Sequence, residues 1–212
     1  MSTRSKSWIS LVIILSILIL DQIFKIWIKT HFAIGEGVKI TDWFYLYFTE
    51  NNGMAFGIEL FDKLFLTIFR LIAAGFLSWY LFKTCMKNHA RMGFCVSLAL
   101  IIAGALGNVI DCMFYGLIFD HSNGQIATMF PELGGYAPFF YGKVVDMLYF
   151  PLIDSYWPNW MPFVGGEHFI FFRPVFNIAD SAITCGIFLM LLFYRKDLSE
   201  AIETKTEKTD EK

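Results

Sequence analysis

The sequence predicts an all-α integral membrane protein with four transmembrane helices, both termini on the cytoplasmic side, a small extracytoplasmic β-sheet and a long external loop. Three observations carry this. Of 212 residues, 56% are hydrophobic and 17% charged, where an ordinary soluble domain has roughly 45–50% and about 25%. Four segments approach the about 20 apolar residues that a hydrocarbon core of roughly 30 Å requires. Lysine and arginine gather in the connections on one side, as they do on the cytoplasmic face of membranes. The net charge of −2 supplies no basic field, so no nucleic-acid partner is expected.

The first helix is read over about 8–28. Trp8 to Leu20 is uncharged, and the apolar pattern runs past Asp21 to Ile28. Arg4 and Lys6 before an apolar run resemble the start of a cleaved leader. No small-x-small cleavage site follows, so the segment reads as a retained span. The external segment of about 29–63 places Val38, Ile40, Phe44, Leu46 and Phe48 near a period of two, which predicts a short sheet at the membrane surface. Asn51, Asn52 and Gly53 then supply turn chemistry. Helix two, about 64–82, is interrupted only by Arg70, and helix three, about 92–116, is uncharged from Met92 to Ile110. A second external segment, about 117–173, holds five of the six prolines and aromatics such as Trp157, Trp160 and Phe163. It reads as a structured layer lying on the bilayer. Helix four, about 174–194, carries one charge, Asp180. Residues 1–195 thus read as a single membrane-embedded domain, and 196–212 as a polar cytoplasmic tail. Arg4, Lys6, Lys83, Lys87, Arg91, Arg195, Lys196, Lys205, Lys208 and Lys212 make ten of the 17 basic residues on the predicted inner side.

Chemistry resides in the acids. The cysteines and histidines show no metal-ligand spacing, so neither a metal nor a cofactor is expected. A carboxylate at membrane depth costs several kcal/mol unless paired or facing a polar cavity, which makes Asp21, Asp111 and Asp180 functional candidates. Asp146 joins them if Gly142 to Asp146 re-enters in helix-like form. Gly104, Asn108 and Asp111 stand at i, i+4 and i+7, and Asn177 and Asp180 at i and i+3, so each set shares one helical face. Gly104 and Gly107 also permit close helix approach. Asp21 and Lys25, at i and i+4, read as an internal ion pair. Two carboxylates facing one pocket of low dielectric cannot both ionise cheaply, so one keeps a proton while the other deprotonates water, the chemistry of an aspartic protease. Depth alone leaves Asp111, Asp146 and Asp180 all eligible. A proton-coupled carrier and a non-catalytic binding or assembly protein are the readings from other classes.

These residues resemble the lipoprotein signal peptidase (signal peptidase II) family. Asp21 through Lys25 is similar to its DxxxK, Asn51 through Phe56 to its NxGxAF, and Gly104 through Asp111 to its GAxGNxxD. Gly142 through Asp146 is similar to its GxVxD, and Phe176 through Ser181 to its FNxADS. The resemblance implies that Asp146 and Asp180 are the catalytic pair, with Asp111, Asp21 and Lys25 supporting. It further implies that Asn51, Gly53, Gly104, Asn108, Asn177 and Ala179 line the pocket and hold the substrate or the dyad. The implied substrates are lipidated prolipoproteins cut just before a diacylglyceryl-modified cysteine. Membrane lipids are the implied surroundings, in a bacterial inner membrane with the site toward the periplasmic face. The sequence departs from the family twice. Cys112 stands where the family has arginine, which makes Arg70 the expected replacement cation and Arg173 a second candidate. About 26 additional residues, roughly Ile118 to Tyr141, precede the Asp146 motif and read as an external lid or lipid-contacting layer. Deleting them is expected to alter substrate affinity more than chemistry.

Overall fold

The computed structural model describes residues 2–52, 63–85 and 91–199. Its helices are α1 (Thr3–Lys29), α2 (Lys63–Cys85), α3 (Met92–Ile110), a short α4 (Gly116–Ile118) and α5 (Ile178–Phe193); its strands are β1 (Gly37–Thr41), β2 (Phe44–Asn51), β3 (Val144–Tyr149), β4 (Ile153–Tyr156), β5 (His168–Phe171) and β6 (Val175–Phe176). A single π-helical turn, Asp111–Tyr115, joins α3 to α4. Three helical stretches among the described residues are long and apolar enough to cross a membrane, Thr3–Lys29, Lys63–Thr84 and Met92–Ile118, while Ile178–Phe193 is shorter.

The chain forms two compact units. The first comprises Met1–Ile23, Leu64–Ile110 and Ile178–Lys212. It is helical because its sequence offers long apolar runs, with glycines where α3 and α5 meet. A Cβ on Gly104 would collide with the Ala179 carbonyl oxygen, and one on Gly186 would lie 2.7 Å from the Ser97 carbonyl oxygen. These two glycines therefore let α3 and α5 touch backbone to backbone. Phe94, Leu98, Ile102, Leu81 and Met190 fill the space around that contact. Large apolar side chains on the other faces of α1 and α2, among them Trp8, Val12, Ile19, Ile72 and Phe82, are exposed. Lipid is the solvent such a surface suits.

The second unit comprises Phe24–Lys63 and Asp111–Asn177. Its main sheet has the order β1-β2-β3-β6, with every neighbouring pair antiparallel. β4 and β5 make a separate two-stranded hairpin inside the aromatic external segment. Phe48, Tyr115, Phe119, Val145 and Met147 build the core, joined by Ile28 from the end of α1. The alternation read from Val38 to Phe48 does form strands.

Two sequence expectations are corrected here. Gly142 to Asp146 does not re-enter as a helix; from Val144 it is strand β3, paired on both sides. Val144, Val145, Asp146 and Met147 are all buried. A strand covered on both faces shows no alternation, so the period that would have announced it is missing. The last helix begins at Ile178 rather than Pro174, because Val175 and Phe176 pair with Tyr149 and Leu148. Their backbone bonds belong to the sheet.

Candidate active site

In the second unit, strand register assembles a polar cluster around Asp146. Thr49 of β2 is opposite Asp146, so Asn51, two residues on, projects from the same face as its diagonal neighbour. The Asn51 amide donates a hydrogen bond to Asp146 Oδ2. From the other side Asn177, placed by the β6 pairing, donates to Asp146 Oδ1 at 2.7 Å and to the Val145 carbonyl oxygen at 3.3 Å. Asp146 is 2% exposed and Asn177 fully buried. Both of these donors are neutral amides, and between them they fix the plane of the carboxylate.

Asp111 is held differently. It begins the π-helical turn, is fully buried, and pairs with the Lys25 ammonium at 2.8 Å. It also accepts the Val145 backbone N–H at 3.3 Å, one residue before Asp146. A full cation matches its charge, which suits a fixed anion that steadies β3 and not a group that shares a proton. Gly142 packs against the same turn: its N–H donates to the Cys112 carbonyl oxygen at 2.9 Å. Cys112 itself is buried.

The first unit holds the other candidate acids. Asp180 sits in the first turn of α5, and the Asn108 amide of α3 donates to its Oδ1 at 2.8 Å. Asp21 of α1 accepts the Ala179 backbone N–H at 2.9 Å. That N–H is one of the donors a helix start leaves without an intrahelical partner, so α1 caps α5 through space. A Cβ on Gly107 would stand 2.8 Å from Asp21 Oδ2 and 3.1 Å from the Ala179 Cβ. Gly104 and Gly107 thereby set the α3–α5 approach that carries Asn108 to Asp180. Arg70 lies half-buried on α2 with its Nη1 buried, and Arg173, in the second unit, is exposed. Gly53 lies outside the described residues, as do Met54 to Phe56 of the same motif.

Sequence reasoning missed a third group. Lys29, fully buried at the end of α1, pairs with Glu50 of β2, and Ser122 and Lys143 lie on the same pair. The available signal was Lys29 one helical turn beyond Lys25, and Glu50 next to Asn51. Among the described residues no group of His, Cys, Asp and Glu has the makings of a metal site. A cavity of about 560 Å³ between α1 and α2, lined by Arg4, Trp8, Leu11, Ile14 and Leu81, touches none of the acids. Cavity size therefore does not locate the chemistry.

The family model described as Signal peptidase (SPase) II matches residues 13–195. A lipoprotein signal peptidase of Porphyromonas gingivalis is 50% identical over 193 residues, covering 91% of this chain and 85% of that protein. A lipoprotein signal peptidase of Amoebophilus asiaticus is 34% identical, covering 97% and 86%. A solved bacterial membrane enzyme, determined by the in meso method, aligns with a TM-score of 0.60 at 27% identity over 90% of each chain.

Proposed function

From the premise that this chain belongs to the signal peptidase II family, we propose that it cuts lipidated prolipoproteins just before a diacylglyceryl-modified cysteine, using Asp146 and Asp180. Membership of a protease family sets aside both the carrier and the non-catalytic binding protein. Residues 1–195 act as one membrane-embedded protease followed by a polar tail. Four spans with both termini in the cytoplasm carry the site to the periplasmic face of a bacterial inner membrane.

The observation that carries the catalytic assignment is the contrast among the acids. Asp146 and Asp180 are gripped by the neutral amides of Asn51, Asn177 and Asn108, whereas Asp111 is matched by a lysine. An amide donor stays neutral whichever protonation state the carboxyl group holds, which suits a pair that trades one proton. Asn177, which bonds Asp146, is three residues from Asp180, and three residues of chain reach no more than about 10 Å. In the reaction, the ionised carboxylate takes a proton from water as the water oxygen bonds the scissile carbonyl carbon. The protonated partner donates to the carbonyl oxygen. When the tetrahedral intermediate collapses, the C–N bond breaks and the leaving amine of the lipidated cysteine receives a proton. The products are a free signal-peptide carboxylate and a free amino terminus. The amides keep both carboxyl planes fixed while the proton moves, which is preorganisation paid for in folding.

Lys25, Asp111 and Asp21 support this pair by steadying β3 and the start of α5, and Gly104, Gly107 and Ala179 let α3 reach α5. Asn51 and Gly53 are assigned to the substrate side, and Arg70 to the cationic role that Cys112 leaves open. The test is cleavage of a diacylglyceryl-modified precursor by purified protein, beside the same precursor without lipid. Asp146→Asn and Asp180→Asn should each remain inserted in membranes and lose activity by about 10³-fold or more. Substantial cleavage by either variant would reject the assignment, and equal cleavage of the lipid-free precursor would reject the substrate class. In the same assay Arg70→Leu should slow cleavage without loss of inserted protein.

A further inference from the structure

The insertion of roughly 118–141 packs around a buried charge. Lys29 Nζ lies 5.8 Å from the Phe48 ring centroid, 5.4 Å from Phe119 and 5.0 Å from Tyr136. It donates to Ser122 Oγ at 2.8 Å and pairs with Glu50. Phe119, Ser122 and Tyr136 all belong to the insertion. Aromatic faces and a hydroxyl compensate an ammonium that has left water. The Glu50 side chain is 3% exposed and its second oxygen faces the Lys143 ammonium at 3.4 Å. The insertion is also tied to its surroundings by backbone. The Ile34 N–H donates to the Ser122 carbonyl oxygen at 3.0 Å, and the Ala137 N–H to that of Gly116 at 3.0 Å.

These contacts end on the two strands that hold Asp146. Glu50 precedes Asn51 in β2 and is opposite Val145 in β3. The Tyr136 hydroxyl accepts the Lys143 backbone N–H at 2.6 Å, immediately before β3 begins. Burial raises the Tyr136 pKa above the ordinary tyrosine value, so the hydroxyl stays protonated across the working pH range. A segment that opened and closed over the substrate would have to break the Lys29–Glu50–Ser122 contacts in each cycle and leave charges stranded.

We propose that the insertion is a fixed brace, and that Lys29, Glu50 and Tyr136 are positioning residues that hold β2 and β3 so that Asn51 and Asp146 stay in hydrogen-bonding register. This rests on the reading that Asp146 is catalytic. A brace and a lid differ in what they change. Loosening a brace misplaces the carboxylate after substrate has bound and lowers kcat; loosening a lid weakens substrate retention and raises KM.

The experiment measures kcat and KM for the lipidated precursor with the full-length protein. Tyr136→Phe keeps the ring over Lys29 and deletes only the hydroxyl; Lys29→Met deletes the charge. Both should lower kcat by about tenfold or more with KM changed less than about twofold. Leu133→Ser, at a fully exposed turn of the same insertion, should alter neither. A raised KM with unchanged kcat in Tyr136→Phe overturns the proposal in favour of a lid, and unchanged kcat and KM overturn it outright. If Lys29→Met does not accumulate, Tyr136→Phe decides alone. Asp146→Asn separates the two claims: if it is inactive while Tyr136→Phe is normal, only the brace fails, and if it cleaves, the catalytic assignment fails.

Discussion

A lysine with no exposed surface survives only beside an acid, and Lys25 with Asp111 shows what that arrangement contributes. Removing one member of a buried pair leaves the other charged and unsolvated, which costs about 3–5 kcal/mol; replacing both with apolar groups is often neutral. Lys25→Met alone, and Asp111→Asn alone, should therefore lower the midpoint of thermal unfolding in detergent, whereas Lys25→Met combined with Asp111→Leu should recover much of the loss. Additive losses in the double variant would show that the two side chains do not act as a pair. Sequence made the members of this site visible because acids, amides and glycines at membrane depth are costly and have few reasons to be there. It did not reveal who bonds whom. Lys25 was read against Asp21, its helical neighbour, while Asp111 lies 86 residues away on another element. Lys29 and Glu50 stayed invisible for the same reason: a charge at the end of a span looks solvated until a distant insertion is seen to cover it.

At the scale of elements, close approach of α3 and α5 is the geometric condition for Asn108 to reach Asp180, and Gly104 is where the two backbones meet. A valine there would have to displace the Ala179 carbonyl and the Ile183 side chain. Overpacking of this kind costs about 1–3 kcal/mol, and the displacement acts on the turn that carries Asp180. Gly104→Val should lower thermal stability and reduce kcat by at least about tenfold, while Gly75→Ala, on α2 with open space around its Cα, should leave both near wild type. A Gly104→Val protein of normal activity would show that α5 tolerates the shift. The helices were legible because their apolar runs are long. The first external strands were legible because one face alternates. β3 was not, since two valines, an aspartate and a methionine buried in succession carry no periodic signal. The start of α5 was misplaced by four residues for a related reason: Val175 and Phe176 are as apolar as the helix they precede, and only their pairing with β3 shows that they are strand.

For the whole molecule, the open question is how the chain crosses the bilayer. α5 has 16 residues, about 24 Å of helix, against the roughly 30 Å of a hydrocarbon core. It is short by the length of about one turn. A fourth crossing would require α5 to start below the outer boundary, with Asp180 in its first turn. The helix start would then lie where the carboxylate of Asp180 is tolerable, because the Asp21 cap satisfies a backbone N–H that lipid cannot. The basic residues agree, since Arg4, Lys83 and Arg195 fall at ends that a fourth crossing assigns to one side. Single cysteines test this in a cysteine-free background. A cysteine at Ser2 and one at Leu198 should resist a membrane-impermeant maleimide added to intact spheroplasts, and one at Leu133, fully exposed in the insertion, should react at once. Permeabilising the cells should then expose the first two. Labelling at Leu198 from outside would mean that α5 does not cross, and the proposed catalytic pair could not then be delivered to a single face by four spans.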